Sequence, residues 1–227
     1  MKKYLVIPCL LFTAFFCQCK KSKNENKNAP DLKKGLLAYF RMNDVFEDST
    51  GNVGLITATS TGIGPAYDRN HSFNNAFYFD GGKFTFATEN WSVAQLSISA
   101  WLRCEDMSNG QYIVLAKPWI FGIKQNGDYV GMAAKTVNSG VAYIAPGKVI
   151  KNEWVHFVGT YDGEKIKAYV NGKFSHAYDF KASLPSPAEI SVGSHASNNM
   201  HWVGSIDDLR FYNRIITEEE IVILASQ

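Results

Sequence analysis

EWVHFVGTYDGEKIKAYVNGKF, running from Glu153 to Phe174, is the stretch that decides the fold. Trp154 to Tyr161 is a run of aromatic and β-branched residues that stops at Asp162-Gly163. Such runs suit a pleated, half-buried surface, and Asp-Gly between two of them is a strong local hairpin signal. The second run sets Ile166, Ala168 and Val170 against Lys167 and Tyr169, then closes on Asn171-Gly172. That pair tolerates positive φ and so makes a second tight turn. Two hairpins in succession predict an antiparallel meander. His156 alternates with Val155 and Phe157 on a strand apolar on both faces, so it reads as a hydrogen-bonded interior histidine.

Working outward, short strand-like runs recur with Gly, Asn and Asp between them. They are GLLAYFRM from Gly35, NAFYFD before Gly81-Gly82, KFTFAT, QLSISAWLR, YIVLAK, IFGIKQ before Asn126-Gly127-Asp128, YVGMAA and VAYIA. After the meander come KFSHAYDF, AEISVG and SIDDLRFYN. This spacing points to an all-β sandwich or barrel. In LSISAWLRC, Leu96, Ile98, Ala100 and Leu102 alternate with Ser97, Ser99, Trp101 and Arg103, a strand with one core face. Only TEEEIVILA looks helical: Thr217 is the N-cap, Glu220 completes a capping box, and Ile221, Ile223 and Leu224 form a short apolar stripe.

These pieces, in this order, resemble the laminin-G-like branch of the concanavalin A-like lectin/glucanase superfamily. The resemblance rests on the Trp-x-His strand at Trp154, the Asp-Gly turn, the Tyr-Val-Asn-Gly strand ending at Gly172, the strand LSISAWLR from Leu96, EDSTGN from Glu47, FYFDGG from Phe77, and the closing GSIDDLRFYNRIITEEEI. It implies a two-sheet antiparallel jelly-roll sandwich over residues 35–227, with the first and last strands adjacent and a short C-terminal helix. It further implies a structural calcium near the ends of those strands, for which Asn43, Asp44 and Asp207 are the candidates. Oxygen-only donors suit that ion. The other reading pairs Asp207 and Asp208 with Arg210 or Arg214, or has them cap a turn.

The N-terminus reads as an export signal over residues 1–18. Lys2-Lys3 is the charged region, and Leu5 to Phe16 is apolar but too short to span a bilayer. Cys17 and Cys19 follow, then the polar run KKSKNENKNAP. This resembles a bacterial lipoprotein signal with Cys19 as the lipidated residue, since cleavage before Cys17 would place Phe15 and Phe16 where small residues fit. Gln18, just before Cys19, is not small either, and a soluble secreted product remains the alternative. Residues 19–34 form a tether without periodicity. Lys20 rather than aspartate follows Cys19, so an outer-membrane address is expected, with membrane contact only through the anchor. Cys104 reads as a small buried hydrophobe.

Charge excludes one class of partner. Residues 1–34 hold 8 of the 23 basic residues and 2 of the 21 acidic ones, leaving 35–227 with 15 against 19, a formal −4. A domain of that sign has no surplus to hold a phosphate backbone, so no nucleic acid is expected. Retaining glucanases of this superfamily place two carboxylates on one strand about 5–5.5 Å apart. No Glu-x-Asp-x-x-Glu or Glu-x-Asp-x-Glu string occurs, nor a nucleophile elbow or zinc helix. The chain therefore reads as a non-catalytic envelope binding module for carbohydrate or a cell-surface protein. The alternatives are a hydrolase or lyase with an atypical site, and a structural subunit of an envelope complex. Sugar recognition uses aromatic platforms and amides, which nominates Trp91, Tyr112, Trp119, His195, Asn198, Asn199, His201 and Trp202. The resemblance implies that Trp202 is rather an aromatic packed beneath the closing strand, and Trp101 and Trp154 read as core.

Overall fold

The computed structural model describes residues 30–43, 45–59, 61–88, 91–117, 121–135, 141–143, 147–193 and 200–227. In chain order the strands are β1 (Leu36–Phe40), β2 (Ile56–Ala58), β3 (Ile63–Tyr67), β4 (Phe73–Asp80), β5 (Phe84–Ala87), β6 (Leu96–Cys104), β7 (Asn109–Lys117) and β8 (Phe121–Asn126). Then come β9 (Tyr129–Lys135), β10 (Val141–Tyr143), β11 (Gly147–Lys148), β12 (Trp154–Tyr161), β13 (Lys165–Val170), β14 (Lys173–Asp179), β15 (Glu189–Val192) and β16 (Val203–Tyr212), followed by α1 (Glu218–Ala225). The meander is β12–β14. Its second turn carries positive φ at both Asn171 (48°) and Gly172 (78°), as a tight hairpin with the right-handed twist of the strands requires.

The strands make two antiparallel sheets. One runs β14-β13-β12-β6-β16-β4-β3, with β1 also on β16. The other runs β10-β9-β8-β7-β15-β5-β2, with β11 on β9. Leu96, Ile98, Ala100 and Leu102 of β6 point into the core between the sheets, as their alternation requires. Phenylalanines dominate there: Phe40 packs on Phe86 at 4.8 Å and on Phe84 at 5.1 Å, and Trp91 on Phe211 at 5.6 Å between ring centroids. Each such buried ring contributes about 1.5–3 kcal/mol of transfer free energy. A second cluster forms on the far face of the first sheet, where Ile221 and Leu224 of α1 cover Val158, Tyr169 and Tyr212. The helix begins in a capping box of Thr217 and Glu220.

β2, β3 and β11 have no counterpart among the strand-like runs of the sequence. β3 holds Pro65, which cannot donate to a ladder; it is tolerated because β3 is the edge of its sheet, paired only with β4.

One irregularity positions everything below. β16 pairs with β4 through Val203–Ile206 and with β1 through Leu209–Tyr212. The register against β6 slips between Asp207 and Arg210, and Asp208 takes φ 51°. The closing strand thus changes partner at a bulge, and the bulge turns two carboxylates onto the face away from the core.

Candidate functional site

Around that bulge the far face of the first sheet carries a buried ionic network. Arg69, from the β3–β4 turn, pairs with Asp207 through Nη1 and donates to Asp208 Oδ2 from Nη2 at 2.8 Å. Arg210 Nη2 donates to Asp208 Oδ1 at 3.1 Å and to the Tyr39 hydroxyl at 2.8 Å, and that hydroxyl donates to Asp208. Arg69 lies over the Trp101 ring at 4.8 Å, and Arg210 over the Tyr39 ring at 4.0 Å. Both geometries fit cation–π contact. Deeper still, His156 Nε2 bonds Ser99 Oγ at 2.9 Å. Burial and the Arg210 and Arg69 guanidinium charges push the His156 imidazole down to about 3, so it is neutral. Burial and the adjacent Asp208 carboxylate push Asp207 up to about 8, against the opposing pull of Arg69.

Beside the network lies a polar cleft of about 200 Å³, lined by Tyr39, Arg41, Asn43, Asn75 and the Asp68, Arg69, Asp207 and Asp208 side chains. A larger cavity of about 440 Å³ adjoins it, and the two share Tyr39 and Arg41. The hairpin that brings Asp68, Arg69 and Asn75 to the cleft also carries an exposed aromatic pair. Tyr67 is 57% and Phe73 58% exposed, with ring centroids 5.1 Å apart. The turn between them is held by Asp68, whose Oδ1 accepts from the backbone N–H of Asn70 and of Ser72, each at 2.8 Å. Solvent-facing aromatic rings beside amides, carboxylates and guanidinium groups form a surface that can stack an apolar ring face and bond hydroxyls around it.

The residues nominated from sequence fare differently. Tyr112 and His201 do meet, in an isolated parallel bridge at the far end of β16 from the cleft, with Lys124 at 5.3 Å over the Tyr112 ring. Trp202 and Trp91 are not available to a ligand: both are buried in the core, Trp202 fully, where its ring also blocks any side chain at Gly204. Trp119, His195, Asn198 and Asn199 lie outside the described residues, as does Asp44. Trp101, expected in the core, instead sits half-buried on the far face beneath Arg69.

Asn43 and Asp207 do line one cleft, as the calcium reading requires, but the carboxylate of Asp207 is engaged by Arg69, a partner 138 residues away. A calcium ion there would have to displace that guanidinium. Among the described residues no three His, Cys, Asp or Glu side chains converge as a metal site. Arg214, the other expected partner, pairs with Glu220 instead. Cys104 is fully buried, and burial pushes its thiol up to about 12, as suits an inert core cysteine.

Sequence and structure comparisons place these features in a family. The mouse protein usherin is 24% identical over 144 residues, covering 57% of this chain. The chain spans 3% of usherin's length. Domain 4 of AbnA, a GH43 extracellular arabinanase from Geobacillus stearothermophilus, solved in complex with arabinotriose, superposes with a TM-score of 0.70 at 20% identity, over 84% of this chain and 98% of that one. The binding domain of Paraclostridial Mosquitocidal Protein 1 superposes with a TM-score of 0.72 at 16% identity, over 86% of this chain and 52% of that one. Both share the jelly-roll fold. A laminin-G family model matches residues 79–222, and the chain belongs to the concanavalin A-like lectin/glucanases superfamily.

Proposed function

We propose that this domain is a carbohydrate-binding module, and that the β3–β4 hairpin with its polar cleft is where the sugar sits. The observation that carries the reading is the exposed Tyr67–Phe73 pair beside a cleft lined by Asn43, Asn75 and Arg41. The arabinanase domain, which shares the fold, was solved with a bound arabinose oligomer. Arg69 and Arg210 engage the carboxyl oxygens of Asp207 and Asp208 in the cleft wall, which favours binding over hydrolysis, because a general acid must present its proton to a substrate oxygen. The test is calorimetric titration of the purified chain with arabinotriose, lactose and sialyllactose, alongside the double variant Tyr67→Ala/Phe73→Ala. At least one sugar should bind, the double variant should weaken it about tenfold, and no new reducing ends should appear. Equal binding by the variant would remove the hairpin from the site. Retention of none of these sugars would remove the glycan reading, and release of reducing ends would replace it with the hydrolase.

We further propose that Cys19 is acylated and that the lysine-rich tether presents the domain at a bacterial envelope, at the outer membrane where the host has one. Two lipid chains on one cysteine give stable attachment where a single chain is marginal. Cys19→Ser should move the protein to the soluble fraction. Release by Cys17→Ser alone would shift the anchor to Cys17, and membrane retention of the double variant would eliminate it.

A further inference from the structure

We propose that the sugar bound at this site carries a negative charge, a carboxylated residue seated in the larger cavity; this rests on the glycan reading above. That cavity, of about 440 Å³, is lined by Lys33, Arg41 and Arg210 and by no aspartate or glutamate. Among the described residues neither Lys33 nor Arg41 has an ion-pair partner through its side chain. Arg210 shares Asp208 with Arg69, so one carboxylate is divided between two guanidinium groups. Asp48, which accepts from the backbone of the cavity-lining Tyr39, Thr50 and Asn52, is turned inward and saturated. Its Oδ1 accepts from the N–H of Tyr39 at 2.8 Å and of Thr50 at 3.0 Å. Its Oδ2 accepts from the Thr50 hydroxyl at 2.6 Å and from the N–H of Asn52 at 2.8 Å and of Val53 at 3.3 Å. Asp48 thus has no lone pair left to offset the cavity's cations.

The prevailing charge of the domain runs the other way, at a formal −4 over residues 35–227, so this concentration of cations is local. The rest of the lining identifies more than a bare anion site. The Tyr39 ring lies between Arg41 at 5.4 Å and Arg210 at 4.0 Å, Leu32 and Leu36 give an apolar wall, and Ser49, Thr50 and Asn52 bring hydroxyls and an amide. A carboxylate can take the Arg41 guanidinium while an apolar ring face meets the leucines and hydroxyls meet the amide. Since Tyr39 and Arg41 line both cavities, one oligosaccharide can reach from the aromatic pair to the cationic cavity.

The test titrates the full chain in detergent with matched pairs: galacturonate trimer against galactose trimer, and sialyllactose against lactose. Inorganic phosphate and polyglutamate serve as charge-only competitors. The acidic member of at least one pair should bind about tenfold more tightly, as one charge-assisted contact requires. Arg41→Gln, a change at an exposed side chain, should erase that preference, while Lys173→Gln on β14 should leave it intact. Equal binding within both pairs overturns the proposal and leaves the glycan reading standing. So does a preference that survives Arg41→Gln, or phosphate or polyglutamate competing as well as the acidic sugar. Binding of no sugar in either pair overturns both readings.

Discussion

Replacing Asp207 by asparagine should remove the alkaline edge of this domain's stability. In the fold the Asp207 carboxyl titrates at about 8 against an ordinary 3.8, because burial and the Asp208 charge outweigh Arg69. The folded state therefore holds a proton that the unfolded chain has lost, and stability falls by about 1.4 kcal/mol per pH unit between those values. His156 acts with the opposite sign. Its folded value of about 3 lies below its ordinary 6.5, so the unfolded chain binds the extra proton and stability rises with pH across that interval. From about pH 4 to 6.5 the two slopes cancel. From 6.5 to 8 only Asp207 still acts, since the Cys104 thiol, ordinarily at 9, begins to matter only above that window. The loss over that 1.5-unit interval is about 2 kcal/mol, a drop in Tm of about 4–8 °C for a domain of this size. Below pH 4 the fall resumes through His156, joined by Asp48 and Glu220, whose carboxyls are held below their ordinary range by hydrogen bonds and, for Glu220, by Arg214.

The assay is urea unfolding from pH 4 to 9, by tryptophan fluorescence, for the wild type and Asp207→Asn. The wild type should show a plateau from about pH 4 to 6.5 and a decline above it, and the variant should instead gain stability from about pH 4 to 6.5, through the now uncompensated His156, and stay level from there to about pH 8. A wild type that is level from 6.5 to 8 would refute the reasoning. It would mean that Arg69 holds Asp207 ionised at neutral pH and that the pair, not burial, sets the network's charge.

Three further perturbations test other parts of the structure. The double variant Tyr67→Ala/Phe73→Ala should leave the urea midpoint within experimental error, because both rings are more than half exposed and support no core. Gly193→Ala should cost about 2–4 kcal/mol in urea unfolding: the residue sits at φ 93° and a Cβ there would fall 2.3 Å from Phe79 Cδ1. Thr217→Ala should cost about 1 kcal/mol by the same measurement, since its hydroxyl caps the N–H of Glu220.

Where the sequence was legible, local rules coincided with the tertiary outcome. The meander reads directly because Asp162-Gly163 and Asn171-Gly172 accept the backbone that their turns need. Thr217 and Glu220 cap α1 as their spacing requires, and His156 is the interior, hydrogen-bonded histidine that its strand predicts. The polar far face was less legible. Trp101 alternates with core residues and is still not core, because the face it occupies is covered only in part: α1 shelters Tyr212 and Val158, while an arginine from another hairpin shelters Trp101.

The site itself was hidden for a physical reason. Tyr67 to Asn75 reads as a loop, since β3 contains Gly64 and Pro65, buries no residue fully, and shows no apolar alternation. An edge strand has one ladder partner and one solvent side, so it needs neither a full set of donors nor a hydrophobic face. Freed from those constraints, the hairpin can spend its residues on solvent-facing rings and polar groups, and no periodic signal survives to reveal it. Its partners are equally remote, with Arg69 reaching Asp207 across 138 positions and Tyr39 reaching Asp208 across 169. What joins them is the bulge of β16 against β6, at the point where its other neighbour changes from β4 to β1. Had β16 kept its register against β6 along its whole length, strict alternation would have sent Asp207 and Asp208 to opposite faces. Without those two neighbouring carboxyl groups, Arg69 would not be held at the cleft nor Arg210 beside Tyr39. The bulge is thus the element on which both the ionic network and the sugar site depend, and it falls in the Ile-Asp-Asp-Leu-Arg segment that the sequence marks as the closing strand.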